Sequence, residues 1–191
     1  MNFDARSVLI PIDVQCGFDF PPWPPRSNPA MEGNGLRLLD AWRRAGLPLI
    51  HVRHDSVVEG STLAPGHPGN AHRAGYAPLE SEALVTKSVN AAFIGTDLDL
   101  RLRRLGIDTV VLFGISTDMC VSTTARVSAN LGYRTVVVGD ACACFELKDA
   151  DGSVIRADDI QRAHLATLRA EFAQVMDTDE VIAGLRGKDA A

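Results

Sequence analysis

The chain has 191 residues, 46% of them hydrophobic and 23% charged, with a formal net charge of −5. That length fits one domain over residues 1–191 with a core needing neither disulfide nor metal staples. The acidic balance excludes a nucleic-acid groove, four cysteines in a chain this long do not form a secreted disulfide framework, and no apolar run approaches membrane-spanning length. Met1-Asn2-Phe3-Asp4-Ala5-Arg6 has no signal-peptide architecture, so a cytoplasmic, reduced protein is expected.

In chain order, Ser7 to Val14 reads as a buried strand with Asp13 near its end. A loop containing Pro21, Pro22, Pro24 and Pro25 follows, then a helix from about Ala30 to Ala45 that Gly46 stops. Leu47 to His54 is a second strand. Asp55 to Glu82 is irregular and rich in Gly, Pro and His, and a loop of that length is usually functional, as a lid or pocket wall. Ala83 to Lys87 is a short strand, and Leu98 to Leu105 a helix ended by Gly106. The strand Thr109 to Phe113 leads into a helical pattern over Val121 to Leu131, and Thr135 to Gly139 is the next strand. Ala157 to Glu171 is a helix, Ala173 to Met176 a last strand and Thr178 to Leu185 a last helix, with Gly187 to Ala191 frayed. Strands alternating with helices predict a doubly wound, mostly parallel α/β sheet covered on both faces. Ligands of such sheets bind outside the strand C-termini, where Asp13, His54, Lys87 and Cys120 all fall.

Cys120 carries the sharpest chemical signal. It lies in Gly114-Ile115-Ser116-Thr117-Asp118-Met119-Cys120-Val121, between a buried strand and a helix. Free N–H groups of a first helical turn favour thiolate over thiol, the usual activation of a cysteine nucleophile, although Cys also packs as a small buried hydrophobe. Asp13, inside Leu9-Ile10-Pro11-Ile12-Asp13-Val14-Gln15, needs a cation or a proton if buried, unless it caps the following loop. Lys87, ending Leu84-Val85-Thr86-Lys87, either pairs with an acid or snorkels to solvent. Together the three make a coherent proton-transfer set.

Ile12-Asp13-Val14-Gln15, Lys87-Ser88-Val89-Asn90-Ala91-Ala92-Phe93 and the Gly114–Val121 segment, in that order and spacing, resemble the signature of the isochorismatase-like cysteine hydrolases. That family includes nicotinamidases, N-carbamoylsarcosine amidases, ureido-acid and biuret hydrolases, and isochorismatases. The resemblance implies a six-stranded parallel sheet of the Rossmann-like three-layer kind and an Asp-Lys-Cys triad of Asp13, Lys87 and Cys120. It also implies a non-proline cis peptide between Ile115 and Ser116, and an oxyanion hole built from the N–H groups of Ser116 and Cys120. Isochorismatases lack the cysteine, so Cys120 favours hydrolysis of a C–N bond in a small amide or ureide. An ether hydrolase of the isochorismatase type and a catalytically idle binding member are the alternatives. A nucleotide-binding domain is disfavoured, because no G-x-G-x-x-G follows the first strand.

No cofactor is implied, and no metal: the Asp-x-His…His pattern of nicotinamidases is absent from Val52-Arg53-His54-Asp55-Ser56, and His54, Asp55, His67 and His72 lack recognisable ligand spacing. The expected partner is a small-molecule substrate, with no nucleic acid and no membrane, and the resemblance implies a homo-oligomer, dimer or tetramer. Phe18, Trp23 and Phe93 are candidates to sandwich a planar substrate, with His54 and Thr117 also at the pocket. Arg26 either pairs a substrate carboxylate or is a surface charge. Cys16 is a bystander or an oxidation liability, and Cys142 and Cys144 fill space beneath a loop.

Overall fold

The computed structural model describes residues 1–186, so the expected fraying of Gly187 to Ala191 lies outside the described residues. Its strands are β1 (Ser7–Ile12), β2 (Ile50–His54), β3 (Ala83–Lys87), β4 (Thr109–Ile115), β5 (Arg134–Ala143), β6 (Leu147–Lys148), β7 (Val154–Ile155) and β8 (Gln174–Met176). Its α-helices are α1 (Met31–Arg44), α2 (Leu98–Arg104), α3 (Ser122–Asn130), α4 (Ala157–Glu171) and α5 (Thr178–Ala183). Six strands form one sheet in the order β3-β2-β1-β4-β5-β8, and every pairing is parallel. α1 and α5 pack on one face, α3 and α4 on the other. Sandwiched strands must be apolar on both sides, which is why every residue of β1 and β4 is buried.

The winding places the site. β1 has β2 on one side and β4 on the other, so successive crossovers leave in opposite directions and a crevice opens beyond the C-termini of β1 and β4. Gly114 sets how closely these two strands meet there. Its φ is +135°, and a Cβ at that position would lie 2.0 Å from the carbonyl oxygen of Ile12. No helix among the described residues is long and apolar enough to cross a membrane.

Three elements depart from the sequence reading. β5 runs past Gly139 to Ala143, because its register against β4 slips between Leu112 and Gly114 and lets Cys142 and Ala143 pair with Gly114 and Ile115. A single π-helical turn, Thr117–Val121, precedes α3, so the helical segment starts ahead of Cys120 and not with it. The β6–β7 hairpin has strands too short for a periodic signal. The stretch from Asp55 to Glu82 is the long loop expected, with one 3-10 turn at Pro68–Asn70. Asn70 anchors it, its side-chain amide donating to the carbonyls of Leu63 (2.8 Å) and His54 (3.1 Å).

Candidate active site

Four strand ends deliver the site. Asp13 follows β1 with φ +51°, a left-handed conformation that Asp tolerates better than most residues, and its N–H donates to Val52 at 2.9 Å. Gln15 locks this corner to β2: its side-chain oxygen accepts from His54 N–H (2.9 Å) and its amide donates to the carbonyls of His54 (3.0 Å) and Asn70 (2.9 Å). His54 and Lys87 end β2 and β3 and stand in register. Cys120 comes from the π-turn after β4. These side chains converge on the Lys87 ammonium, whose nitrogen lies 2.5 Å from Asp13 Oδ2, 3.1 Å from His54 Nδ1 and 3.3 Å from Cys120 Sγ. Three N–H donors thus face three acceptors.

Both charges of the Asp13–Lys87 pair are fully buried. Burial pushes the Asp13 carboxyl up, with Lys87 pulling against it, and Oδ1 of Asp13 is buried without a hydrogen-bond partner. Burial, reinforced by the Asp13 carboxylate, pushes the Cys120 thiol up to about 12 against the pull of Lys87. This reverses the direction expected of a helix-start cysteine. Burial is the main cause; in addition the π-turn starts upstream, and its Met119 and Val121 N–H groups are engaged by the Ser116 carbonyl at 3.2 and 3.0 Å. Burial, with the ammonium beside it, lowers His54 to about 4, so its imidazole is neutral and Nδ1 accepts the Lys87 proton.

Above Cys120 lies a cavity of about 450 Å³, lined by Phe18, Trp23 and His54 as the sequence suggests, and by Ser116 beside the thiol. Phe18 and Trp23 meet edge to face at 4.7 Å, and both pack on Phe145. The peptide between Ile115 and Ser116 is cis. Three other candidates lie outside the lining. Arg26 is paired with Glu32 at 2.6 and 2.8 Å, Phe93 stacks on Tyr133 at 6.1 Å, and Thr117 hydrogen-bonds to Gln161 at 2.5 Å, tying the π-turn to α4. Sequence reasoning passed over Asn90 and Met119 as lining residues, although both stand in the quoted motifs; the Asn90 side-chain oxygen is 3.6 Å from Cys120 Sγ. The long loop does form pocket wall as expected, through residues such as Glu59, Thr62 and Leu63, which no sequence pattern singles out individually.

Residues 7–180 match the family model described as the isochorismatase domain. The chain belongs to the isochorismatase family. It is 38% identical over 179 residues, 94% of its own length and 96% of the relative's, to an uncharacterized isochorismatase family protein, YrdC, of Bacillus subtilis (strain 168). An isochorismatase-family structure from Chromobacterium violaceum ATCC 12472 superposes with a TM-score of 0.91 at 38% identity over 96% of both chains. Nicotinamidase 3 of Arabidopsis thaliana is 26% identical over 194 residues, 95% of this chain and 89% of that one. The molecule is therefore an isochorismatase-family hydrolase with that family's six-stranded α/β fold.

The other polar residues of this family hydrolase's loop are engaged separately. Asp55 pairs with Arg53 (2.8 and 3.1 Å), His67 Nδ1 accepts from Gly69 N–H (2.9 Å), and the ring of His72 meets that of His51 edge-on at 6.1 Å. Asp13, His54 and Cys120 do present ligand-type atoms within 4.8 Å of one another, but the Lys87 ammonium lies among them. Cys16 contacts the His72 carbonyl at 3.5 Å, Cys142 is wholly buried, and Cys144 packs against Ser27 and Ala157; all four cysteines are free.

Proposed function

We propose that this hydrolase cleaves the C–N bond of a small amide or ureide through a thioester on Cys120. The observation that carries the reading is the position of Cys120 Sγ on the cavity lining, 3.3 Å from Lys87 and within 4.8 Å of an Asp13 oxygen. A thiol held near 12 rests protonated, so the proton leaves as sulfur attacks rather than beforehand. Asp13, its own carboxyl pushed upward, is the acceptor. Sulfur bonds to the carbonyl carbon, and the carbonyl oxygen takes negative charge against the N–H groups of Ser116 and Cys120. One such donor is worth about 2.7–4 kcal/mol in related chemistry. Asp13 returns the proton to the leaving nitrogen as the C–N bond breaks. Water then hydrolyses the thioester to a carboxylic or carbamic acid and restores the thiol. Lys87 compensates the anionic charge on Asp13 and sulfur throughout, and neutral His54 holds the ammonium in place.

The nicotinamidase among the relatives supports an amide over an ether as the scissile group. The test is ammonia release from nicotinamide, biuret and other small ureides and amides by the native chain and by Cys120→Ala. Turnover of at least one should fall at least a thousandfold in the variant. Full activity in Cys120→Ala would refute the thioester route.

A further inference from the structure

The cavity above Cys120 is largely apolar in its walls and, among the described residues, carries no cation of its own. Phe18, Trp23, Val58, Leu63 and Met119 line it beside neutral polar groups such as Thr62, Asn90 and Ser116, and the exposed Glu59 is the one carboxylate among the described lining residues. Among the described residues no Arg or Lys lines it. The nearby cations are each matched by an acid: Arg26 by Glu32, Arg53 by Asp55, Arg73 by Asp19 at 2.7 Å and Glu32 at 3.1 Å, and Lys87 by Asp13. Lys87 also directs its remaining donors at His54 and Cys120. A carboxylate entering this space would lose water without gaining a cationic partner and would meet the charge of Glu59 on the way in. An ammonium or guanidinium group at the mouth would meet an opposite charge that stays hydrated.

We propose that the site admits neutral and cationic small amides and rejects those bearing a carboxylate, with Glu59 setting the sign at the mouth. This rests on the amide reading only for the identity of the scissile group. Charge selection can be read at the sulfur without any turnover. The probes are three methanethiosulfonates carrying ethylammonium, methyl and ethylsulfonate groups. Rates of Cys120 modification are mapped by mass spectrometry, to separate them from Cys16, and divided by the rates with free 2-mercaptoethanol.

The normalised sulfonate rate should fall at least tenfold below the neutral one, and the ammonium reagent should match or exceed the neutral one. Glu59→Gln should remove the advantage of the cation, and Glu59→Lys should raise the sulfonate rate several-fold. Because Glu59 is exposed, its share should shrink in 0.5 M salt. The same order should appear in kcat/KM for 4-aminomethylbenzamide, benzamide and 4-carboxybenzamide. Equal rates for the three reagents, or a ratio that ignores both Glu59 variants, would overturn charge selection and leave amide hydrolysis standing. Intact selection at Cys120 with no amide turned over would do the reverse. If none of the reagents reaches Cys120, both fall, because the cavity then admits no ligand to the thiol.

Discussion

Replacing Lys87 by Met and, separately, Asp13 by Asn should give two proteins whose stabilities change with pH in opposite directions. At 2.5 Å the pair attracts by about 7 kcal/mol with an effective dielectric near 20, and removing one partner of a buried pair typically costs about 3–5 kcal/mol once desolvation is counted. Either orphaned group limits that cost by changing its protonation. In Lys87→Met, Asp13 loses the cation paired with it while burial continues to push its carboxyl up, so the folded state holds a proton that the unfolded state releases. Stability should then fall as pH rises above the unfolded carboxylate value, by at most about 1.4 kcal/mol per pH unit. In Asp13→Asn the buried ammonium sheds its proton in the folded state and regains it on unfolding, so stability should rise with pH at up to the same slope. Urea unfolding followed by the fluorescence of Trp23 and Trp42 between pH 5.5 and 8.5 reads both slopes. The double variant should cost less than the two singles added together. Parallel slopes, or single-variant losses under about 1 kcal/mol, would refute the claim that the two charges are buried and mutually dependent.

Two glycines of α1 should respond to alanine with opposite signs. Gly33 is exposed with nothing near its missing Cβ, so Gly33→Ala should stabilise by about 0.5 kcal/mol, whereas at Gly35 a Cβ would sit 2.3 Å from the Tyr76 hydroxyl and 2.8 Å from the Phe113 ring, so Gly35→Ala should destabilise by roughly 1–3 kcal/mol. Differential scanning calorimetry of the two variants decides it. His54 and His72 are both lowered, chiefly by burial, to about 4, so the unfolded chain binds their protons first as pH drops. Stability should therefore be fully present above pH 6.5 and decline between 6.5 and 4, by about 2–4 kcal/mol for the two after allowing for partial solvent screening. Urea midpoints across that window should show a shallower decline in His54→Gln.

The strands that position the site were legible because a strand covered on both faces has to be apolar along most of its length, as Ser7–Ile12 and Thr109–Ile115 are after their first residues. Their parallel pairing follows from the helices between them. The Asp13–Lys87 pairing was legible for the complementary reason: an acid or a lysine at the end of such a run conflicts with its surroundings unless another charge meets it. The same logic does not reach the π-turn. One extra residue in a helical turn leaves the apolar spacing of α3 unchanged, yet it engages the N–H groups that were expected to stabilise a thiolate. Nor does it reach the cavity wall. Arg26 and Glu59 are both charged loop residues, and only the path of the loop decides that Arg26 pairs with Glu32 while Glu59 stands at the mouth.

That division of labour explains how one buried ammonium can organise the site. Asp13, His54 and Cys120 come from separate strand ends and carry no cation among them: the carboxylate beside sulfur raises the thiol, and the buried imidazole stays neutral. Lys87 supplies the common partner, and the β2–β3 register that sets His54 opposite Lys87 fixes the ammonium before any ligand arrives. A cation could use the same three ligand atoms only by displacing Lys87, at the cost of leaving a second positive charge without its acid. The proton inventory at the site is thereby restricted to Asp13 and Cys120, the two groups whose burial pushes both upward. Under the thioester route proposed above, a proton passing between them would change the charge of each while the ammonium between them stays in place.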